Sequence, residues 1–188
     1  MTEGGALRTV AALYVDPLGP YPTLAGVECW DESRNAKTYP GPHPVVAHPP
    51  CGPWSRLRHL SRYQDPECGL VAVDQVRRWG GVLEHPDGSR LFRVRQLPLP
   101  GGLPDEFGGW SALIDQVSWG HKARKRTLLY VVGVHPSSVR FRVGGEPTHL
   151  VTTCHRGEAR TLPTLSAAAR RRTPLDFAEF LVALARAV

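Results

Sequence analysis

Five short apolar runs, each closed by a proline, a glycine or an acidic residue, constrain this chain more than any other feature. They read "AALYVDP" (11–17), "GVECWD" (26–31), "PVVAH" (44–48), "GGVLEHP" (80–86) and "RTLLYVVGV" (126–134). Runs this short and apolar fit buried strands. Residues 66–79, "PECGLVAVDQVRRW", differ: their apolar positions recur at helical spacing behind a proline suited to a first turn. A second helix is expected at about 174–187. There Thr173 offers a cap, Pro174 suits the first position and Asp176 favours the N-terminal dipole. Leu175, Ala178, Leu181, Val182 and Ala185 then share one face. Strands that alternate with helices predict one α/β domain with a mostly parallel central sheet. Residues 96–109, rich in proline and glycine, read as a loop. The alternation around Gly144-Gly145 reads as a small hairpin insertion at about 134–152.

In such a sheet, ligands gather beyond the carboxyl ends of the strands. By this division Asp16, Asp31, Cys51 and Glu84 all fall there, which sets the search for chemistry. The chain of 188 residues is 41% hydrophobic and 21% charged, and no apolar run is long enough to span a membrane. "MTEGGALRTV" has no signal-peptide pattern, so a cytoplasmic location is expected. The four cysteines are scattered and form no CxxC pair, so free thiols and no metal site are expected. A net charge of +6 is compatible with a polyanionic partner.

Cys51 sits in "VVAHPPCGPWS", on a stiff turn just beyond a strand. Glu84 ends the next one. A presented thiol beside a carboxyl group suits attack on a pyrimidine. Thiolate addition to carbon 6 makes carbon 5 nucleophilic, provided nitrogen 3 gains a proton. The thiolate should be favoured by a neighbouring positive charge, and the glutamate should be raised so that it can donate. Cys29, Cys68 and Cys154 read as inert small hydrophobes. Trp79, Trp110 and Trp119 read as core or rim, and His48 and His85 as hydrogen-bonded structural groups. Trp54 stands out because it neighbours the nucleophile.

These stretches resemble the DNA cytosine-5 methyltransferases. "HPPCGPWS" looks like that family's Pro-Cys motif, "VLEHP" like its Glu-Asn motif with His85 in the asparagine place, and "WGHKARKRTLLYVVG" (119–133) like its basic motif and strand. Motif order and spacing agree. The resemblance implies a Rossmann-like methyltransferase fold, with Cys51 as nucleophile, Glu84 on the base, and Lys125 and Thr127 in the places of the paired arginines. It places S-adenosylmethionine against residues 14–31, where Tyr14, Asp16 and Gly19 line the loop and Glu28 or Asp31 meets the ribose. It places the target DNA against Pro50, Trp54, Ser55, Arg56, Arg58, His85, His121, Lys122, Arg124 and Arg126. The glycine-rich cofactor loop of the family is replaced by "DPLGPYP", and its large target-recognition region is missing. Three functions remain open: cytosine-5 methylation of DNA, a phage-type hypermodification or nucleotide-level transfer with another donor, and an inactive DNA-binding relative. Oligomeric state is open too.

Overall fold

A computed structural model of the protein describes residues 7–56, 58–61, 63–151 and 162–188. Six strands build one sheet: β1 (Val10–Leu13), β2 (Val27–Trp30), β3 (Val45–Ala47), β4 (Gly81–Pro86), β5 (Trp110–Asp115) and β6 (Arg126–Val132). Their spatial order is β2-β1-β3-β4-β6-β5. β2, β1, β3 and β4 run parallel, whereas β6 is antiparallel to both its neighbours. Four α-helices accompany them: α1 (Glu67–Trp79), α2 (Arg90–Val94), α3 (Ala167–Arg171) and α4 (Leu175–Arg186). The architecture is α/β, with a mixed and mostly parallel sheet.

The two-residue period of a strand sends alternate side chains to opposite faces. Ala11, Leu13, Val45, Ala47, Leu83 and Tyr130 face α1, which covers them with Ala72, Val73 and Val76. Val10, Ala12, Val46, Val82, Leu129 and Val131 face the other way. Residues 14–26, between β1 and β2, hold one 3-10 turn (Tyr21–Thr23) and no α-helix, so that second face needs cover from elsewhere. α4 supplies it from the far end of the chain, with Phe177, Ala178, Leu181, Val182 and Ala185.

Three expectations need correction. β5 was not expected. It lies at the edge of the sheet behind the proline- and glycine-rich segment, and its half-buried alternation is weak. The expected hairpin is absent: among the described residues, 139–149 pair with no strand. Gly145 instead packs against the 3-10 turn Gln116–Trp119, where a Cβ would stand 2.7 Å from the Val117 carbonyl oxygen, and Ser118 Oγ donates to the Gly144 carbonyl at 2.6 Å. The two glycines allow close approach rather than a reversal. At α4, Pro174 occupies the cap position without a side-chain bond, and Thr173 caps nothing. Leu175 is 49% exposed and Phe177 takes its place in the core.

β1 has β2 on one side and β3 on the other, so the chain reverses direction of travel between them. In open α/β sheets such a switch point opens a crevice beyond the strand ends. Among the described residues no helix is long and apolar enough to cross a membrane.

If α4 truly closes the second face, Leu181→Ala should cost about 2–5 kcal/mol, as large-to-small changes in cores do. Urea denaturation measures this; a loss below about 1 kcal/mol would mean that α4 is not part of the core.

Candidate active site

Cys51 is held by a turn that has little freedom. β3 ends at Ala47, His48 N donates to the Leu13 carbonyl at 3.0 Å, and Pro49 and Pro50 stiffen the exit. Cys51 then stands at the cap of the 3-10 turn Gly52–Trp54, whose closing bond runs from Trp54 N to the Cys51 carbonyl at 3.1 Å. Ser55 Oγ donates back to the Gly52 carbonyl at 3.1 Å. A Cβ at Gly52 would collide with Ser61 Oγ, and one at Gly69 would collide with the Trp54 indole. Trp54 is therefore a buried anchor that locks the turn to α1, rather than the DNA contact that the resemblance implies. The Cys51 side chain itself is exposed.

Glu84 lies at the carboxyl end of β4 and is 8% exposed. Buried carboxylates need partners, and this one has them from three directions. His48 Nδ1 lies 3.0 Å from Oε2, and Gln116 Nε2 donates to Oε1 at 3.0 Å. Gln116 Nε2 also donates to Thr127 Oγ1 at 2.9 Å, and Thr127 in turn donates to the Lys125 carbonyl at 3.2 Å. The far nitrogen of the His48 ring, Nε2, sits 2.6 Å from the Tyr21 hydroxyl. The result is a chain of polar groups, Tyr21–His48–Glu84–Gln116–Thr127, drawn from the loop after β1 and the ends of β3, β4, β5 and β6.

The charge states differ from the sequence-based expectation. Burial pushes the Glu84 carboxyl up. The His48 hydrogen bond and the charge of Lys125 lead the effects that outweigh it, and the group is held down at about 2. Glu84 is a carboxylate at neutral pH, not the raised acid expected. The thiol is corrected in the opposite sense. Crowding in its turn and the Glu84 charge raise Cys51 above the ordinary thiol range, against the smaller pull of Lys125 and Arg171. Both nitrogens of His48 are engaged, so this ring is not placed to take the thiol proton directly.

His85 points to the opposite face of β4 from Glu84. It is 1% exposed, neither ring nitrogen has a partner, and burial lowers it to about 4, so it is neutral. The expected hydrogen bonds are absent. It lines a cleft of about 270 Å³ with Cys51, Ser55, Arg56, Asp87 and Ser89. Pro50 is half-buried, and Arg58 is exposed in the turn that follows.

The basic stretch before β6 is pinned by Asp115, whose Oδ1 accepts from Lys125 N at 2.9 Å. His121 is buried, and its Nδ1 accepts from Ala123 N at 3.1 Å, so it shapes this loop rather than facing DNA as expected. Lys122 is exposed. Arg124 leans on Asp115 at 3.4 Å and Arg126 pairs with Asp87 at 2.9 Å, both with exposed side chains. Thr127 is buried in the Glu84 network.

The region expected to hold a cofactor is closed on itself. Tyr14, in the left-handed conformation with φ 59°, donates its hydroxyl to Gln75 Oε1 of α1 at 3.0 Å. Asp16 Oδ1 accepts from Leu18 N at 2.9 Å, and a Cβ on Gly19 would stand 3.0 Å from the Asp16 carbonyl oxygen. Glu28 pairs with Arg34 at 2.9 Å, and Asp31 Oδ1 accepts from Ser33 Oγ and Arg34 N. Among the described residues no three or more His, Cys, Asp or Glu cluster as metal ligands do. Cys154 lies outside the described residues.

Tyr21, Gln116 and Asp115 belong to the site but carry no sequence signal. Tyr21 follows an irregular proline-rich loop, and the other two end a strand whose pattern is weak. Comparison with protein-family models and with curated proteins returns no match.

A neutral buried histidine makes stability depend on pH. The folded value of His85, about 4, lies below the ordinary 6.5, so its contribution is complete above about pH 6.5 and is lost as pH falls toward 4. His85→Asn should flatten the fall in unfolding free energy between these limits, read by urea titrations at several pH values. An unchanged slope would mean that the ring protonates freely in the folded protein.

Proposed function

We propose that the protein modifies carbon 5 of a pyrimidine in DNA through a covalent bond between Cys51 Sγ and carbon 6, with cytosine-5 methylation as the simplest form. The observation that supports this most is the placement of Cys51, Glu84 and Lys125 at adjoining ends of the neighbouring strands β3, β4 and β6. Few reactions need an exposed thiol, a buried carboxylate and a cation around one small ring. The mostly parallel sheet is compatible with a Rossmann-like methyltransferase fold, and the motifs "HPPCGPWS" and "VLEHP" point the same way.

In the reaction, the Cys51 thiolate adds to carbon 6 while a proton reaches nitrogen 3 through the Glu84 carboxylate. The electron pair of the 5,6 double bond is then available at carbon 5. Carbon 5 takes an electrophilic carbon group from the donor, whose leaving group departs with its bonding pair. Solvent takes the hydrogen of carbon 5 as a proton, and the thiolate leaves as the double bond re-forms and nitrogen 3 returns its proton through Glu84. Lys125 stabilises the thiolate and the negative charge that develops on the ring. A base in a duplex would have to leave its stack to reach Cys51, with Lys122, Arg124 and Arg126 on one side and Arg56 and Arg58 on the other gripping phosphates.

The residues at 14–31 do not fit S-adenosylmethionine as they stand. Arg34 holds Glu28 Oε1, and Ser33 and Arg34 hold Asp31 Oδ1, so a ribose hydroxyl would have to meet the second oxygen of either; the amino-acid end needs an open glycine cradle, and Gly19 is closed onto Asp16. This favours a second reading of the same site, in which a different electrophilic carbon donor is used, as for pyrimidine hypermodification or a nucleotide-level transfer.

Addition to carbon 6 labilises the hydrogen on carbon 5 before any donor is involved. Cytosine-containing DNA incubated with the protein in deuterium oxide should therefore gain one deuterium at carbon 5, seen by mass spectrometry of the nucleosides. Cys51→Ser should abolish the exchange and Glu84→Gln should slow it by about 100-fold or more. Cys29→Ser and Cys68→Ser should leave it intact. No exchange in duplex DNA, single-stranded DNA or free nucleotides would overturn the proposal. Calorimetric binding of S-adenosylmethionine would restore that donor.

A further inference from the structure

Resting on the pyrimidine reading, we infer that His48 is the residue that stores the proton delivered to nitrogen 3, clamped between Tyr21 and Glu84 so that Glu84 can pass the proton to the ring and take it back. The reaction needs a proton at nitrogen 3, yet the group that would touch nitrogen 3 is a carboxylate and has none of its own to give.

The geometry leaves one neighbour to supply it. Gln116 and Thr127 lie on the other side of Glu84, and the Gln116 amide and Thr127 hydroxyl do not exchange a proton with a carboxylate at ordinary pH. His48 Nδ1 is 3.0 Å from Oε2, and the pair is largely buried, at 13% and 10% side-chain exposure. At Nε2 the Tyr21 hydroxyl stands at 2.6 Å. Nε2–H of the protonated ring donates to this hydroxyl, and it still does so in the neutral ring left when Nδ1 gives up its proton, so Tyr21 serves both states without moving. Tyr21 is itself buried beside Glu84, both of which keep its own proton in place. The charged groups near the ring are therefore Glu84 from β4 and Lys125 from the basic loop, beside the neutral His85 of β4 and the neutral Tyr21 hydroxyl.

The proton count closes. The reacting form carries a thiolate on Cys51, whose proton has passed to solvent, and an imidazolium–carboxylate pair. As Sγ bonds to carbon 6, the proton moves from Nδ1 to Glu84 and from Glu84 to nitrogen 3, leaving a neutral imidazole. When the thiolate leaves, nitrogen 3 returns the proton along the same path. His48 touches no substrate atom and acts through Glu84, which makes it a positioning residue.

Two opposed protonation states must then coexist, an ionised thiol and a protonated His48. The rate of carbon-5 deuterium exchange should rise with pH as Cys51 ionises and fall again as the His48–Glu84 pair loses its proton. His48→Asn keeps an N–H donor for Glu84 but has no labile proton. It should exchange at least about 100-fold more slowly and lose the alkaline fall, so that its rate only rises with pH. Tyr21→Phe keeps the ring and packing but removes the acceptor for a protonated Nε2. Because bonds to charged groups are the stronger ones, its alkaline fall should move to lower pH. Alkylation of Cys51 by iodoacetamide, at wild-type rates in both variants, shows that the nucleophile turn is intact. Wild-type exchange rates and an unchanged alkaline fall in both variants would overturn this role of His48 while leaving the pyrimidine reading in place. Absence of exchange in the unmodified protein would overturn both.

Discussion

One buried negative charge organises this molecule. An unpaired carboxylate at the depth of Glu84 would be strongly destabilising, and its neutralisation by protonation is what burial alone would produce. The chain instead brings His48 and Gln116 to its two oxygens and sets Lys125 nearby. Those partners are remote in sequence, so the charge ties together the ends of β3, β4, β5 and β6. It also connects to the loop after β1 through Tyr21. Removing one partner from such a network costs more than the bond itself, because the remaining charge is left buried.

The rest of the fold holds this network still. α1 anchors the Cys51 turn through Trp54 and Gly69, and α4 covers the face that the β1–β2 connection leaves bare. Asp115 pins the basic loop that carries Lys125. The rigid parts lie beneath the strand ends and the adaptable ones above them. Arg56, Arg58, Lys122, Arg124 and Arg126 are all exposed, which suits contact with a flexible polyanion.

Much of this was legible in the sequence where the signal is local. Each expected strand is present because an apolar run with a proline or glycine stop needs no distant information. Cys51 and Glu84 could be singled out from their own neighbours, a double proline and a strand end. What could not be read is whatever depends on a partner far along the chain. The ionised state of Glu84 is set chiefly by His48, 36 positions away, and by Lys125 on the loop before β6. Trp54 beside a thiol looks like a stacking platform until Gly69 of α1 is seen beneath it. Gln116 follows an edge strand whose alternation is blurred, and Gly144-Gly145 mimics a hairpin turn while serving as a packing surface.

The central claim is that Cys51 Sγ bonds to carbon 6 of a pyrimidine. A 2-pyrimidinone base, which lacks the 4-amino group, accepts a thiolate at carbon 6 more readily than cytosine and holds it longer. Intact-protein mass spectrometry after exposure to DNA carrying this base should show one adduct per chain. Peptide mapping should place it on Cys51, and Cys51→Ser should remove it. No adduct, or one mapped to another cysteine and retained in Cys51→Ser, would contradict the claim.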